Sequence, residues 1–405
     1  MSISDSVKTV VIPSNEIRVP AMIQMKKEQM LAENKQILQK FLEKYVTEPF
    51  SDILRPNVVS QSYEDGSKYE GELKNSLRNG KGIYYYKNGD VYLGDWKEEI
   101  FHGMGIYIFS TGERYEGYLA NGRKNGEGIY YYSNGNIYKG TFQNDKKNGK
   151  GTLIYHSTGE VYEGDWVNGK KHGNGKITYA IGDIFVGEFK EDKKKGKGKY
   201  NYSSGGYYEG EWENDSPNGE GTFIYPNKDV YRGSWRNGMK HGIGQYMHHN
   251  GAKFEGEWRN DDKNGDGVMV FENGDVYNGG WLDGERSGQG TYEYVSGDFY
   301  EGEWKNDKKS GLGTLRLKNG EEYKGEWVDN VKNGTGVYKF VNGHSYEGYF
   351  QNDKRHGKGF YTWDEGIFYK GGWKNDKIEG EGVVITEEGD TFQGIFENGK
   401  LKKKS

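Results

Sequence analysis

Residues 300 to 315 read YEGEWKNDKKSGLGTL, and the alternation in this stretch decides the fold. With Tyr300 as position 0, Tyr300, Gly302 and Trp304 take the even positions, and Glu301 and Glu303 the odd ones. Side chains of a β-strand point to opposite faces with period two, so this run is a strand with one ring-bearing and one polar face. The cluster NDKKSG supplies a turn, because Asn, Asp and Gly tolerate the backbone that turns need. A second alternating run follows through Gly311, Gly313 and Leu315. The stretch reads as a β-hairpin.

Outward from it, the pattern repeats. An aromatic residue opens each unit at Tyr69, Tyr92, Tyr115, Tyr138, Tyr162, Phe185, Tyr208, Tyr231, Phe254, Tyr277, Tyr300, Tyr323, Tyr346, Tyr369 and Phe392, stepping by 23 except for 24 after Tyr138. Fourteen units are complete, and the last stops half-way. Position 2 is always glycine, positions 11 and 13 are glycine in every complete unit, and nine of the ten tryptophans sit at position 4. The expected fold is an all-β repeat, an elongated single-layer antiparallel β-meander of about 14.5 hairpins preceded by an N-terminal α-helix. Strands about 4.8 Å apart give roughly 9.6 Å per repeat, and on the order of 140 Å for the array. The parity predicts a register in which position 4 faces 13, position 2 faces 15 and position 0 faces 17. Each tryptophan then lies between two glycines, its ring filling the space of the absent side chains.

Composition agrees. Of 405 residues, 65 are glycine, 34 tyrosine and 17 phenylalanine, so a Leu/Ile/Val core is excluded while the aromatic content opposes disorder. The net charge of −5 carries no global field toward nucleic acid. The absence of cysteine excludes disulfides and thiolate metal sites. No apolar run approaches the roughly 20 residues of a membrane helix, and the N-terminus lacks a targeting pattern, so a soluble intracellular protein is expected.

The chain divides into an N-terminal arm (1–20), an α-helix (21–46), a linker with lead-in strand (47–68), the repeat array (69–399) and a basic tail (400–405). The helix is expected because AMIQMKKEQMLAENKQILQKFLEKYV follows Pro20 and lacks Gly and Pro. Met30, Ile37 and Phe41 share a face, with Leu38, Leu42 and Tyr45 beside it. It either packs on the first hairpins and caps the sheet edge, or binds a partner as an amphipathic or coiled-coil segment.

Catalytic chemistry is not legible. His102, His172, His241 and His356 recur at position 10 as turn residues and are not read as metal ligands. Asp262, Asn264 and Asp266 imitate half an EF-hand loop, but its twelfth position is Asn273 rather than Glu. No phosphate-binding loop and no Ser-His-Asp grouping occur, so no enzyme, cofactor or metal is expected. Two surfaces are candidates for contacts. Lysines and arginines at positions 8 and 9, namely Lys124, Lys146, Lys147, Lys170, Lys171, Lys193, Lys194, Lys240, Lys309 and Arg355, would line one basic turn edge for an acidic protein or anionic lipid. Trp166, Trp212, Trp235, Trp258, Trp281, Trp304 and Trp327 would form an aromatic contact face.

The units YEGEWKNDKKSGLGTL and YEGDWVNGKKHGNGKI resemble the MORN (membrane occupation and recognition nexus) repeat, and Y-x-G-x-W followed by G-x-G recurs across residues 69–399. The family includes radial-spoke and other ciliary proteins, parasite cytoskeletal scaffolds, junctional membrane tethers and plant lipid kinases with an added catalytic domain, which has no counterpart here. The resemblance implies protein–protein scaffolding, dimerisation and affinity for phosphoinositides. The expected function is a non-enzymatic scaffold in a cytoskeletal assembly of the cytoplasm, foremost a ciliary axoneme or radial spoke. The alternative is a peripheral membrane tether that binds phosphoinositides through the basic edge.

Overall fold

A computed structural model describes residues 58–363 and 366–404. The arm at 1–20 and the helix expected at 21–46 lie outside the described residues. The chain divides into two compact units, Met1–Lys193 and Lys194–Ser405. Among the described residues of the first, twelve strands run from β1 (Val58–Ser62), β2 (Lys68–Lys74), β3 (Leu77–Tyr85), β4 (Val91–Lys97) and β5 (Ile100–Ile108) through to Ile184–Lys190. In the second, strands of seven and nine residues alternate from Lys193–Asn201 on, ending in the five-residue strand Lys400–Lys404. Within each unit the strands pair antiparallel in sequence order, as in β1 with β2, β2 with β3 and β3 with β4. The meander of hairpins is therefore as expected.

The register is not. In the repeat opening at Tyr208, Tyr208 faces Phe223, Gly210 faces Gly221 and Trp212 faces Pro217. Position 0 thus meets 15 and position 2 meets 13, two residues away from the predicted alignment. The cause is the turn. Asn214 and Asp215 both take left-handed backbone, with φ of 50° and 70°, and close the hairpin as a two-residue loop. The pair at positions 8 and 9 consequently belongs to the second strand rather than to the turn. A bulge between Gly210 and Trp212 then absorbs two residues, and Gly219 within it takes φ 99°, a conformation that other residues rarely adopt.

Across the next turn, Phe223 faces Tyr231 and Gly221 faces Gly233, so glycines confront glycines on both sides. The lane they leave is filled by the position-0 ring. A Cβ on Gly82 would come within 2.5 Å of the Tyr69 ring, and one on Gly71 within 2.4 Å of its hydroxyl. The ring lies across the lane because its hydroxyl donates to the carbonyl of Glu72 at 2.8 Å. The expectation that rings replace missing side chains holds, with tyrosine in place of tryptophan.

The tryptophan has a different setting. Tyr208 meets Trp212 of its own repeat at 5.3 Å and Trp235 of the next at 5.2 Å, both edge-on. Tyr231 repeats this with Trp235 and Trp258 at 5.1 and 5.4 Å. Such pairs stabilise by about 0.5–1.5 kcal/mol each beyond the area they bury. The indole also donates to the backbone, as from Trp212 to the Gly198 carbonyl at 3.1 Å. This ladder of alternating rings is the core of each unit, one side chain thick.

Candidate functional site

Where positions 8 and 9 are both basic, as at Lys146 and Lys147, Lys170 and Lys171, and Lys193 and Lys194, the structure separates them. Position 9 points to the ring-bearing face and lies opposite position 4 of its own repeat, Trp235 for Lys240 and Phe142 for Lys147. The Lys147 ammonium sits 3.9 Å from the centroid of the Trp166 ring and 5.4 Å from that of Tyr138. Lys240 lies 4.7 Å from Trp258, Lys309 4.9 Å from Trp327 and the Arg355 guanidinium 4.4 Å from Trp373. Lys124, Lys171 and Lys194 stack on Tyr130, Tyr162 and Tyr200 in the same way. Burial pushes the Lys147 and Lys309 ammoniums down to about 8. Their aliphatic stems cover the rings while the cation lies against the ring face.

The position-9 backbone is held as well. The Lys124 N–H donates to the carboxylate of Asp145 at 2.9 Å, and the Asp145 N–H returns to the Lys124 carbonyl at 3.0 Å. Asp145 is a turn residue of the following hairpin, so the two bonds clasp one repeat to the next. Lys171 with Asp192, Lys240 with Asp261 and Lys332 with Asp353 repeat the clasp. In Lys309 with Asn330 the amide oxygen does the same at 2.8 Å. The sequence showed acids near these lysines, but the clasp depends on the two-residue turn that the predicted register lacked.

Position 8 behaves differently. Lys146, Lys170 and Lys193 open their strands as exposed residues. Lys170 pairs with Glu191 of the next turn, as Lys308 does with Asp329 at 3.4 Å. The basic edge proposed from the sequence is thus two rows. One is committed to the ring layer, and the other is presented to solvent.

The seven candidate tryptophans are all buried, between 2% exposed at Trp166 and 7% at Trp235. Their own layer covers them, so the surface offered above them consists of position-9 stems and the outer edges of the tyrosines. At the opposite turns, carboxylates bind the position-15 tyrosines. Asp229 accepts from the Tyr246 hydroxyl at 2.9 Å and from the His249 N–H at 2.8 Å. Burial alone would raise this carboxyl, yet those hydrogen bonds hold it well below the usual carboxylate range. Asp275 and Tyr292 repeat the arrangement at 2.8 Å. Among the described residues no group of three or more His, Asp or Glu side chains is placed to hold a metal ion. Asp262, Asn264 and Asp266 lie along one strand, Asp262–Val270.

Repeated 23-residue hairpins, clasped to one another and carrying the same side chains at the same positions, define a repeat scaffold. The MORN repeat model matches fourteen successive segments, from 69–91 to 369–391, and the chain belongs to the MORN-repeat family. It is a non-enzymatic, protein-binding scaffold of that type. No curated protein matches it. Among solved structures it is similar to the TCP domain of Drosophila melanogaster SAS-4 bound to a proline-rich motif of Ana2, at 16% identity over 38% of this chain and 85% of that one, with a TM-score of 0.26. It is also similar to the TCP10 domain of Danio rerio CPAP, at 10% identity over 61% and 94% with a TM-score of 0.16. A third is virginiamycin B lyase from Staphylococcus aureus, at 11% identity over 80% and 98% with a TM-score of 0.13. None of these likenesses bears on function.

Proposed function

We propose that the protein is a structural scaffold in a cytoskeletal assembly, foremost a ciliary axoneme or radial spoke, and that its partners are other proteins. The observation that carries this reading is the split of the basic rows. The position-9 cations are engaged by rings and clasped backbone, so they are poorly placed to reach a lipid headgroup. The solvent-facing lysines Lys146, Lys170 and Lys193 occupy three successive repeats among acidic turn residues, which suits a protein surface of matching spacing better than a uniformly anionic bilayer. A homodimer is part of the same reading, because a repeated surface offers self-complementary contacts.

The test is fractionation of cilia from the source cells with a tag on this chain. After detergent removes the membrane, the scaffold reading expects the tag with the axonemes. Quantitative release with the membrane fraction would favour the alternative, a peripheral tether that binds phosphoinositides. Absence from cilia, with the tag in another detergent-resistant cytoskeletal fraction, would keep the scaffold and reject the ciliary location.

A further inference from the structure

The face opposite the rings is apolar in the first three repeats and turns polar in the five that follow. Position 14, which points to this face, is Ile83, Ile106 and Ile129 in succession, then Thr152, Lys176 and Lys199. Leu93, Ile83 and Ile108 form a buried cluster there, with Tyr85, Val91 and Ile106 packed against it.

Burial in this patch exceeds what its own layer supplies. Leu93 is 1% exposed, whereas Val186 at the same repeat position is 49% exposed. Ile83 is 3% exposed, against 36% for Val268 at its equivalent position. Arg114, on the same face, is 8% exposed with its guanidinium 4.0 Å from the centroid of the Tyr131 ring. Neighbours in one sheet shield a side chain laterally and leave its top open, as Val186 shows. Among the described residues the main strand contacts are between sequence neighbours of the same sheet, so they supply no second layer.

We propose that residues 21–46 of this same chain dock on that face and close it. The inference goes beyond the scaffold reading and does not depend on it. The described residues begin at Val58, in β1, which pairs with β2 beside the repeats that carry the patch. The intervening residues 47–57 extend to about 36 Å at most, while β4 lies three strand spacings from β1, roughly 14 Å. As a helix, 26 residues measure about 39 Å, and the apolar patch from β3 to the strand Ile137–Gln143 crosses five strand spacings, about 24 Å. The chemistry is complementary. Met30, Ile37, Phe41 and Leu42 offer an apolar stripe to the isoleucine and leucine patch, while Arg114 at its border is already paired with Glu116 at 2.6 Å.

The segment covers a sheet face rather than the sheet edge. The polar face open to partners then begins at about the fourth repeat, where position 14 turns from isoleucine to threonine and lysine.

The test places p-benzoylphenylalanine at position 41 of the full chain and irradiates a mixture of light and heavy isotope-labelled protein. The expected result is a cross-link within one chain to peptides containing residues 83–108 or 129–137. A cross-link between light and heavy chains would assign the face to a second copy and overturn the proposal. A link confined to β1 or to the ring-bearing face, or no link, would also overturn it. Ile106→Lys, checked for an unchanged tryptophan emission spectrum, should abolish the link to the patch, and its persistence at full yield would contradict the docking.

Discussion

Lys147 and Trp166 belong to neighbouring hairpins, and the ammonium of one stands 3.9 Å from the ring centroid of the other. This relationship makes a surface lysine part of the core. Lys147→Ala removes the stem and the cation and should cost about 1–2 kcal/mol. Lys147→Met keeps a stem over the ring and should cost less than about 1 kcal/mol. Equilibrium urea unfolding followed by tryptophan fluorescence measures both, and equal losses would show that the stem contributes nothing.

The clasp between Lys124 and Asp145 predicts a second pair of variants. Asp145→Ala loses the acceptor and places alanine at φ 71°, so a loss of about 1–3 kcal/mol is expected. Asp145→Asn keeps the acceptor and the left-handed backbone, as Asn330 does toward Lys309, and should stay within about 0.5 kcal/mol of the parent. The same unfolding curves decide it. A loss in the Asn variant as large as that in Ala would make charge, and not the hydrogen bond, the source.

These predictions fall where sequence reading stopped. Period-two alternation and the 23-residue step gave the hairpins, because both follow from strand geometry. The register was misread because NDKKSG looks like a six-residue turn, whereas Asn and Asp alone close it and both lysines extend the second strand. That one shift also moved the position-9 lysines from a turn edge onto the rings. The clasp at Asp145 was invisible for the same reason, since its partner lies one hairpin back.

The glycine lane predicts a steric penalty. Gly82→Ala would put a methyl group 2.5 Å from the Tyr69 ring, whose position is fixed on both sides. Destabilisation of about 3 kcal/mol is expected. Unfolding monitored by near-ultraviolet circular dichroism would show it, and a loss below about 1 kcal/mol would mean that the ring can leave the lane.

Stability should depend on pH in the alkaline range. Burial raises the phenols of Tyr277, Tyr346 and Tyr369 to about 12. An acid with a raised folded-state pKa contributes stability that is fully present below its unfolded value, about 10, and is lost as pH climbs through the folded value. Lys147 and Lys309, pushed down to about 8, act oppositely. The unfolded chain holds their protons up to about 10.4, so their contribution rises with pH from about 8 to that value. The thermal midpoint should therefore climb slightly from pH 8 to about 10 and fall steeply from there to 12. A monotonic decline from pH 7 would contradict the assigned lysine burial.

In the proposed scaffold role the chain meets protein surfaces and not bilayers, through exposed Lys146, Lys170 and Lys193 rather than the ring-bound Lys147, Lys171 and Lys194. Co-sedimentation at physiological salt tests it most directly, with microtubules in one arm and phosphoinositide-containing liposomes in the other. The account predicts that the wild-type protein pellets with microtubules and not with liposomes. It also predicts that Gln at 146, 170 and 193 abolishes binding without changing the unfolding midpoint, whereas Gln at 147, 171 and 194 lowers that midpoint. Salt-sensitive pelleting with liposomes alone, lost in either variant, would contradict the scaffold and establish the membrane tether.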